Sequence, residues 1–168
     1  RPFACVASVG FDALVVAQVN RRLKKWIQKG AYAIEALRAF AGYQPPEFTL
    51  TLDGEPYRPD TSLQGAKVIG VIIGRVPYYG GLHPVLPNAN PLTPQLEVAL
   101  LHARDKWSLL KFARGVVLGT LPRMKGVVYR SVQRIRIESH PAAAVELDGD
   151  AFAQTPVECT AEPGSRLI

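Results

Sequence analysis

From Phe48 onward the chain breaks into short apolar runs of strand length, each closed by a turn signal, and this spacing constrains the fold more than any other feature. Phe48-Thr49-Leu50-Thr51-Leu52 alternates with period two and runs into Asp53-Gly54, a strong two-residue hairpin signal. Lys67 to Ile73 is a nearly continuous apolar run and reads as a buried strand. Further strands are expected at Phe3–Val9, Leu96–Leu101, Val127–Tyr129, Val132–Glu138, Val145–Leu147, Val157–Thr160 and Arg166–Ile168. Asp148-Gly149 and Glu162-Pro163-Gly164-Ser165 are turns among the last of them. Tyr78 to Pro94, rich in Gly, Pro and Asn, is a long ordered loop of the kind that often carries function.

Two segments have helical period instead. From Ala13 to Ala41, Val16, Val19, Leu23, Trp26, Ile34 and Leu37 recur at three- and four-residue steps, with Gly30 a weak point and Gly42 then Pro45-Pro46 the stop. Asp12 is placed to cap this helix. Asp105 to Leu121 repeats through Trp107, Leu110 and Val117 and ends at Pro122. About eight to ten strands with one long and one shorter helix predict a mainly β fold with helices, a sandwich or barrel.

The 168 residues suit one domain, and 48% hydrophobic against 20% charged composition supplies a core. No run approaches the ~18 apolar residues of a membrane span. Arg1-Pro2-Phe3 reads as an interior cut, not as a natural start or a signal peptide. Cys5 and Cys159 lack zinc-ligand spacing and are expected as two buried free thiols, which favours a cytoplasmic protein. His83, His102 and His140 are scattered, so no metal site is expected from them. The net charge of +6 favours acidic partners without choosing among them.

Three motif groups, in this order, resemble the C-terminal domain of the diacylglycerol kinase and sphingosine kinase-like lipid kinases. The first is Gly10-Phe11-Asp12-Ala13, then Leu23-Lys24-Lys25 and Gly30-Ala31-Tyr32. The second is Gly74-Arg75, Tyr79-Gly80-Gly81, Pro87-Asn88-Ala89 and Leu96-Glu97-Val98, similar to the family's Gly-Asn, Tyr-Gly-Gly-Gly, Pro-x-Ala and Asp-Gly-x-Leu-Asp. The third is Leu147-Asp148-Gly149-Asp150, similar to Asp-Gly-Glu, followed by Pro163-Gly164. The resemblance covers essentially the whole chain. It departs at Arg75 for Asn, Leu82 for the third Gly, Thr93-Pro94 for Asp-Gly and Asp150 for Glu, which marks a divergent member.

The resemblance implies a β-sandwich of the NAD kinase/diacylglycerol kinase-like fold over residues 1–168, the substrate side of a lipid kinase. A separate N-terminal domain would bind ATP through a Gly-Gly-Asp-Gly-Thr loop that this chain lacks. It implies Asp148 as catalytic base, Asp150 on the nucleotide and magnesium side, and Gly74, Arg75, Tyr79, Gly80 and Gly81 as a cleft loop. ATP and Mg2+ belong to the parent protein, and none is expected in this stretch alone. A structural magnesium that some bacterial members hold through the Asp-Gly is not expected with Thr93-Pro94. Val16, Val19, Leu23 and Trp26 would line a lipid pocket, or form plain core. Arg21, Arg22, Lys25 and Lys29 would face an anionic membrane, or solvent. The partners expected are a lipid alcohol, an anionic membrane surface met peripherally, the N-terminal domain and, as an option, a second copy in a homodimer. A degenerate lipid- or partner-binding domain is the alternative. A nucleic-acid-binding β-domain is a weaker one, since Arg130, Arg134 and Arg136 are accompanied only by Tyr129, and no nucleic acid is expected.

Overall fold

Hydrophobic period decides which layer each run joins. In the computed structural model, which describes residues 5–10, 13, 40–78 and 83–161, ten strands and one helix of regular length are placed. They are β1 (Val6–Gly10), β2 (Glu47–Leu52), β3 (Glu55–Pro56), β4 (Lys67–Gly74), β5 (Leu96–Ala103), α1 (Ser108–Leu118), β6 (Val127–Val132), β7 (Arg134–His140), β8 (Ala144–Leu147), β9 (Asp150–Gln154) and β10 (Val157–Thr160). The strands form two antiparallel sheets, ordered β6-β5-β4-β1-β8-β9 and β10-β7-β2-β3. The fold is mainly β with helices, and the two sheets make a β-sandwich.

The alternating runs belong to the smaller sheet, which has one wet face. Leu50 of β2 and Ile135 and Ile137 of β7 point inward, while Thr49, Arg134 and Arg136 are exposed. The continuous runs belong to the larger sheet, which is covered on both faces. Every residue of β5 is buried. Ala7, Val9, Val71, Ile73, Val98 and Leu100 face the smaller sheet. Val6, Ile69, Ile72, Ala99 and Leu101 face outward, under a layer made by Leu109 and Phe112 of α1 together with Phe40, Tyr43, Val85 and Leu86. Strands with two covered faces cannot alternate, which is why Lys67–Ile73 reads as one apolar block.

Helix α1 is shorter than the Asp105–Leu121 pattern. Asp105 Oδ1 accepts from the Ser108 N–H at 3.0 Å and closes the first turn. Gly119 takes φ 69°, and Thr120 N donates back to Gly115 O at 2.8 Å, which ends it. The strand expected to stop at Tyr129 continues to Val132, and the break falls at Gln133, between β6 and β7. Its cause is distant in sequence. Asp53 Oδ1 accepts from both Gln133 N and Arg134 N at 2.8 Å, and Asp53 N donates to Arg134 O at 2.9 Å. Asp53-Gly54, read as an ordinary turn, is also a clasp on the β6–β7 connection between the two sheets.

The thiols are both free, but Cys5 is exposed, not buried, because it stands ahead of β1 and outside the packed strand; Cys159 is half-buried. Burial, with Glu158 beside it, pushes the Cys159 thiol up to about 11. At pH 8 its thiolate is then about one part in a thousand. Iodoacetamide should therefore alkylate Cys5 in the folded protein and spare Cys159 until denaturant is added. Mass spectrometry of timed aliquots checks this, and equal rates at the two thiols would contradict it.

Residues 14–39, which contain the expected lipid wall Val16, Val19, Leu23 and Trp26 and the basic set Arg21, Arg22, Lys25 and Lys29, lie outside the described residues. So do Asp12, Tyr79, Gly80, Gly81, the Glu162–Ser165 turn and the Arg166–Ile168 strand. No helix among the described residues is long and apolar enough to cross a membrane.

Candidate functional site

Antiparallel register brings four chain segments to one end of the large sheet. β1 lies between β4 and β8, with Val6 opposite Gly74 and Ala7 opposite Leu147, and Glu97 of β5 is opposite Gly74. The end of β4, the start of β5, the start of β1 and the β8–β9 turn therefore meet. Gly74-Arg75 and Asp148, far apart in sequence, come together here.

Asp148 and Gly149 form the two central residues of the β8–β9 hairpin, with φ 51° and 87°. Both values lie in the left-handed region, which Gly adopts freely and Asp tolerates better than most residues. The carboxylate does not swing free. Asp148 Oδ1 accepts from Cys5 N at 2.8 Å and Val6 N at 3.0 Å, and Asp148 N donates to Val6 O at 2.9 Å. This is the same pattern that Asp53 makes with residues 133 and 134. The clasp is thus a folding device in both turns, and the neighbours of Asp148 are what set it apart.

The first neighbour is Glu146, which is 0% exposed. Its Oε2 accepts from Ser8 Oγ at 2.6 Å and its Oε1 from Gly149 N at 2.5 Å. Glu146 therefore props the turn from beneath. Sequence reasoning passed over it, although a glutamate between Val145 and Leu147 in an apolar strand was the available signal.

The second neighbour is Arg75. Its N–H donates to Cys5 O at 3.3 Å, so the backbone of Cys5 links Arg75 to Asp148. Its Nη2 donates to Pro91 O at 2.7 Å and Thr93 O at 3.0 Å. Two of the departures noted in the sequence, Arg75 and Thr93-Pro94, are therefore in direct contact. The same loop is held at its other end by Glu97, which is 4% exposed. Glu97 accepts from Asn88 N and Asn88 Nδ2, both at 2.8 Å. Burial raises the Glu97 carboxyl above its ordinary value, against the opposing effect of the Asn88 and Ala89 hydrogen bonds.

Gly74 allows this convergence. A Cβ there would stand 2.7 Å from Leu86 Cδ1 and 2.8 Å from Cys5 O. Leu86 can yield, but the Cys5 carbonyl is backbone. Gly74→Ala should therefore push β1 away from β4 at a cost of about 1–3 kcal/mol. A lower urea midpoint with unchanged slope is the expected result, and an unchanged midpoint would show that β1 has room to move.

Asp150 begins β9 and is exposed, two residues beyond Asp148 and across the hairpin from Leu147. Tyr78 bridges Pro84, so the ends of the loop carrying Tyr79, Gly80 and Gly81 are closed on each other near Arg75. Among the described residues no group of three or more His, Cys, Asp or Glu is gathered to hold a metal. His102 is buried elsewhere, with Tyr57 Oη 3.1 Å from Nε2 and Leu100 O 3.1 Å from Nδ1. Arg130, Arg134 and Arg136 each stand beside an acid, Asp60, Glu158 and Glu138 respectively.

Comparison with known proteins agrees with this architecture. No curated protein matches the chain. A crystal structure of "a diacylglycerol kinases from Bacillus anthracis str. Sterne" superposes with TM-score 0.57 at 18% identity, over 93% of this chain and 48% of that one. Another, of "a putative diacylglycerol kinase" from the same organism, gives TM-score 0.58 at 16% identity, over 93% and 48%. These identities speak for the fold alone, and the chain spans about half the length of those structures. Residues 5–167 match the family described as the YegS C-terminal NAD kinase beta sandwich-like domain. With nearly its full length matched, and with two antiparallel sheets packed as a sandwich, the chain belongs to the YegS C-terminal NAD kinase beta sandwich-like domain family.

Proposed function

We propose that this chain is the substrate-side half of an ATP-dependent lipid kinase that phosphorylates a diacylglycerol, a sphingoid base or a related lipid alcohol. The observation that carries this reading is Asp148. It is a carboxylate on a tight turn, immobilised by two backbone N–H groups and propped by Glu146, at the sheet end where Gly74 and Arg75 converge. Phosphoryl transfer to an alcohol needs a base held within reach of the hydroxyl proton, and most of the remaining catalysis is positioning. Asp148 takes that proton. Its fixed Oδ1 sets the direction of the carboxylate, so little reorganisation is needed when the hydroxyl arrives.

Asp150 suits the nucleotide side. Mg2+ keeps several waters and takes one or two carboxylates plus substrate phosphates, and an exposed Asp at the mouth of the turn fits that demand. When bound, the metal offsets the charge that develops on the transferred phosphoryl group. ATP itself belongs to the other half of the parent protein. Val16, Val19, Leu23 and Trp26 complete the proposal as the acyl-chain wall, and Arg21, Arg22, Lys25 and Lys29 as a contact with the cytoplasmic membrane surface.

One observation favours a second reading, a domain that binds lipid or a partner without transferring phosphate. The Arg75 guanidinium, at a position where the family pattern has Asn, ties the 91–93 backbone in place. Labelled-phosphate transfer from ATP to a panel of lipid alcohols, by the native full-length protein, separates the two. Transfer to at least one lipid supports the kinase. Lipid binding without transfer to any of them supports the second reading.

A further inference from the structure

Helix α1 buries one face and leaves the other outside. Leu109 and Phe112 pack in the layer over the large sheet, and Gly115 packs against Leu121 and Met124. On the opposite side, Trp107, Leu110, Lys111, Arg114, Val117 and Leu118 follow at three- and four-residue steps, which aligns them on one face. Four of these six are large and apolar, and they are 60%, 40%, 74% and 53% exposed for Trp107, Leu110, Val117 and Leu118. A face turned to water ordinarily carries polar residues, so this one is built to be covered.

The charges say by what. The other two residues, Lys111 and Arg114, are cations, and Arg123 and Lys125 are exposed in the turns just after the helix. The ion pairs among the described residues engage Lys67, Arg130, Arg134 and Arg136, not the cations of α1. The sequence has no Asp or Glu at all between Asp105 and Glu138. A protein partner for an apolar helix face needs no such exclusion of acid over a whole segment. A surface that is negative everywhere and apolar just beneath does, because each acid would be repelled while each cation and each apolar side chain gains. Trp107 and the lysine and arginine stems have the amphipathic shape that settles at a headgroup boundary.

We infer that the outer face of α1 is a docking surface for anionic lipid bilayers, with Trp107, Leu110, Val117 and Leu118 entering the headgroup region and Lys111 and Arg114 meeting lipid phosphates. The helix lies flat on the bilayer and does not cross it. Its residues are not those of the basic set at 21–29, and the inference does not depend on phosphoryl transfer.

Co-sedimentation of the full chain with vesicles tests it, using phosphatidylcholine alone and phosphatidylcholine mixed with phosphatidylglycerol. Binding is expected to the mixed vesicles, to weaken at high salt, and to be slight on phosphatidylcholine. Each cation near an acidic surface is worth about fivefold in affinity, so the Lys111→Gln, Arg114→Gln double variant should bind roughly 25-fold more weakly. Val117→Ser with Leu118→Ser should cost at least about tenfold. Both pairs are solvent-exposed, so circular dichroism should show an unchanged fold. The inference is overturned if the parent ignores anionic vesicles, if either double variant binds as the parent does, or if the apolar variant leaves vesicle binding intact and instead dissociates an oligomer or a bound protein domain.

Discussion

Asp148→Asn should lower phosphoryl transfer by the native full-length protein about 100- to 10,000-fold while leaving it folded. The two effects separate because of how this residue is held. Asn tolerates the left-handed φ of 51°, and its amide oxygen can still accept from Cys5 N and Val6 N. The turn and the start of β1 therefore survive, at a stability loss of about 1 kcal/mol or less. What disappears is a carboxylate able to take a proton. Asp148→Ala is a different experiment. It removes both backbone hydrogen bonds and strains the backbone, for a loss of roughly 2–3 kcal/mol, so its activity would fall for mixed reasons.

Asp53→Ala supplies the control. Asp53 has the same φ, the same pair of accepted N–H groups and the same reciprocal backbone bond, so its removal should cost the same stability. Its contacts, however, are at the β6 edge of the large sheet, four strand spacings or about 19 Å from β8. Transfer should hardly change. Rates for Asp148→Asn that match the parent would reduce Asp148 to the role Asp53 has, a clasp on a neighbouring segment, and would place the base for the hydroxyl proton on another residue.

The comparison of these two turns also shows how far the sequence could be read. Both Asp-Gly hairpins are local events, written in two adjacent residues, and both are where they were expected. The period of Phe48–Leu52 and the unbroken run of Lys67–Ile73 report one wet face and none, which is information each strand carries by itself. β9 carries no such information. All five of its residues are exposed, so no alternation marks it. The break at Gln133 is likewise silent locally, because the carboxylate that makes it lies 80 residues earlier.

The candidate site divides along the same line. Gly74, Arg75 and Asp148 belong to short motifs. The arginine's function does not, since its acceptors are main-chain carbonyls, which every residue possesses. The sequence could show that Arg75 and Thr93-Pro94 departed from the family's pattern, but not that the two departures touch. Glu146 is the clearest case of information that exists only after folding. Its partner Ser8 is 138 residues away, and nothing but the β1–β8 register places them opposite each other.

That makes Glu146 the second residue whose loss should be felt strongly. In Glu146→Ala, the Ser8 hydroxyl, 1% exposed, and the Gly149 N–H both lose their acceptor, and a cavity replaces four side-chain atoms. The unmet buried Ser8 donor costs about 1–3 kcal/mol, and the lost Gly149 bond and the cavity add to this, so roughly 3–5 kcal/mol is expected. For a chain of this size that is a fall in Tm of about 10–15 °C. Transfer should fall as well, because the turn that aims Asp148 has lost its support from below. Glu146→Gln distinguishes support from mere bulk. Its carbonyl oxygen can still accept from Gly149 N, and the Ser8 hydroxyl can rotate to accept from the new amide. Most of the stability, and with it the transfer rate, should return. If Gln restores Tm but not transfer, the carboxyl group contributes more than position. If Ala melts with the parent, the bonds to Ser8 and Gly149 do not hold the turn, and Asp148 owes its placement to other contacts, those to Cys5 and Val6 among them.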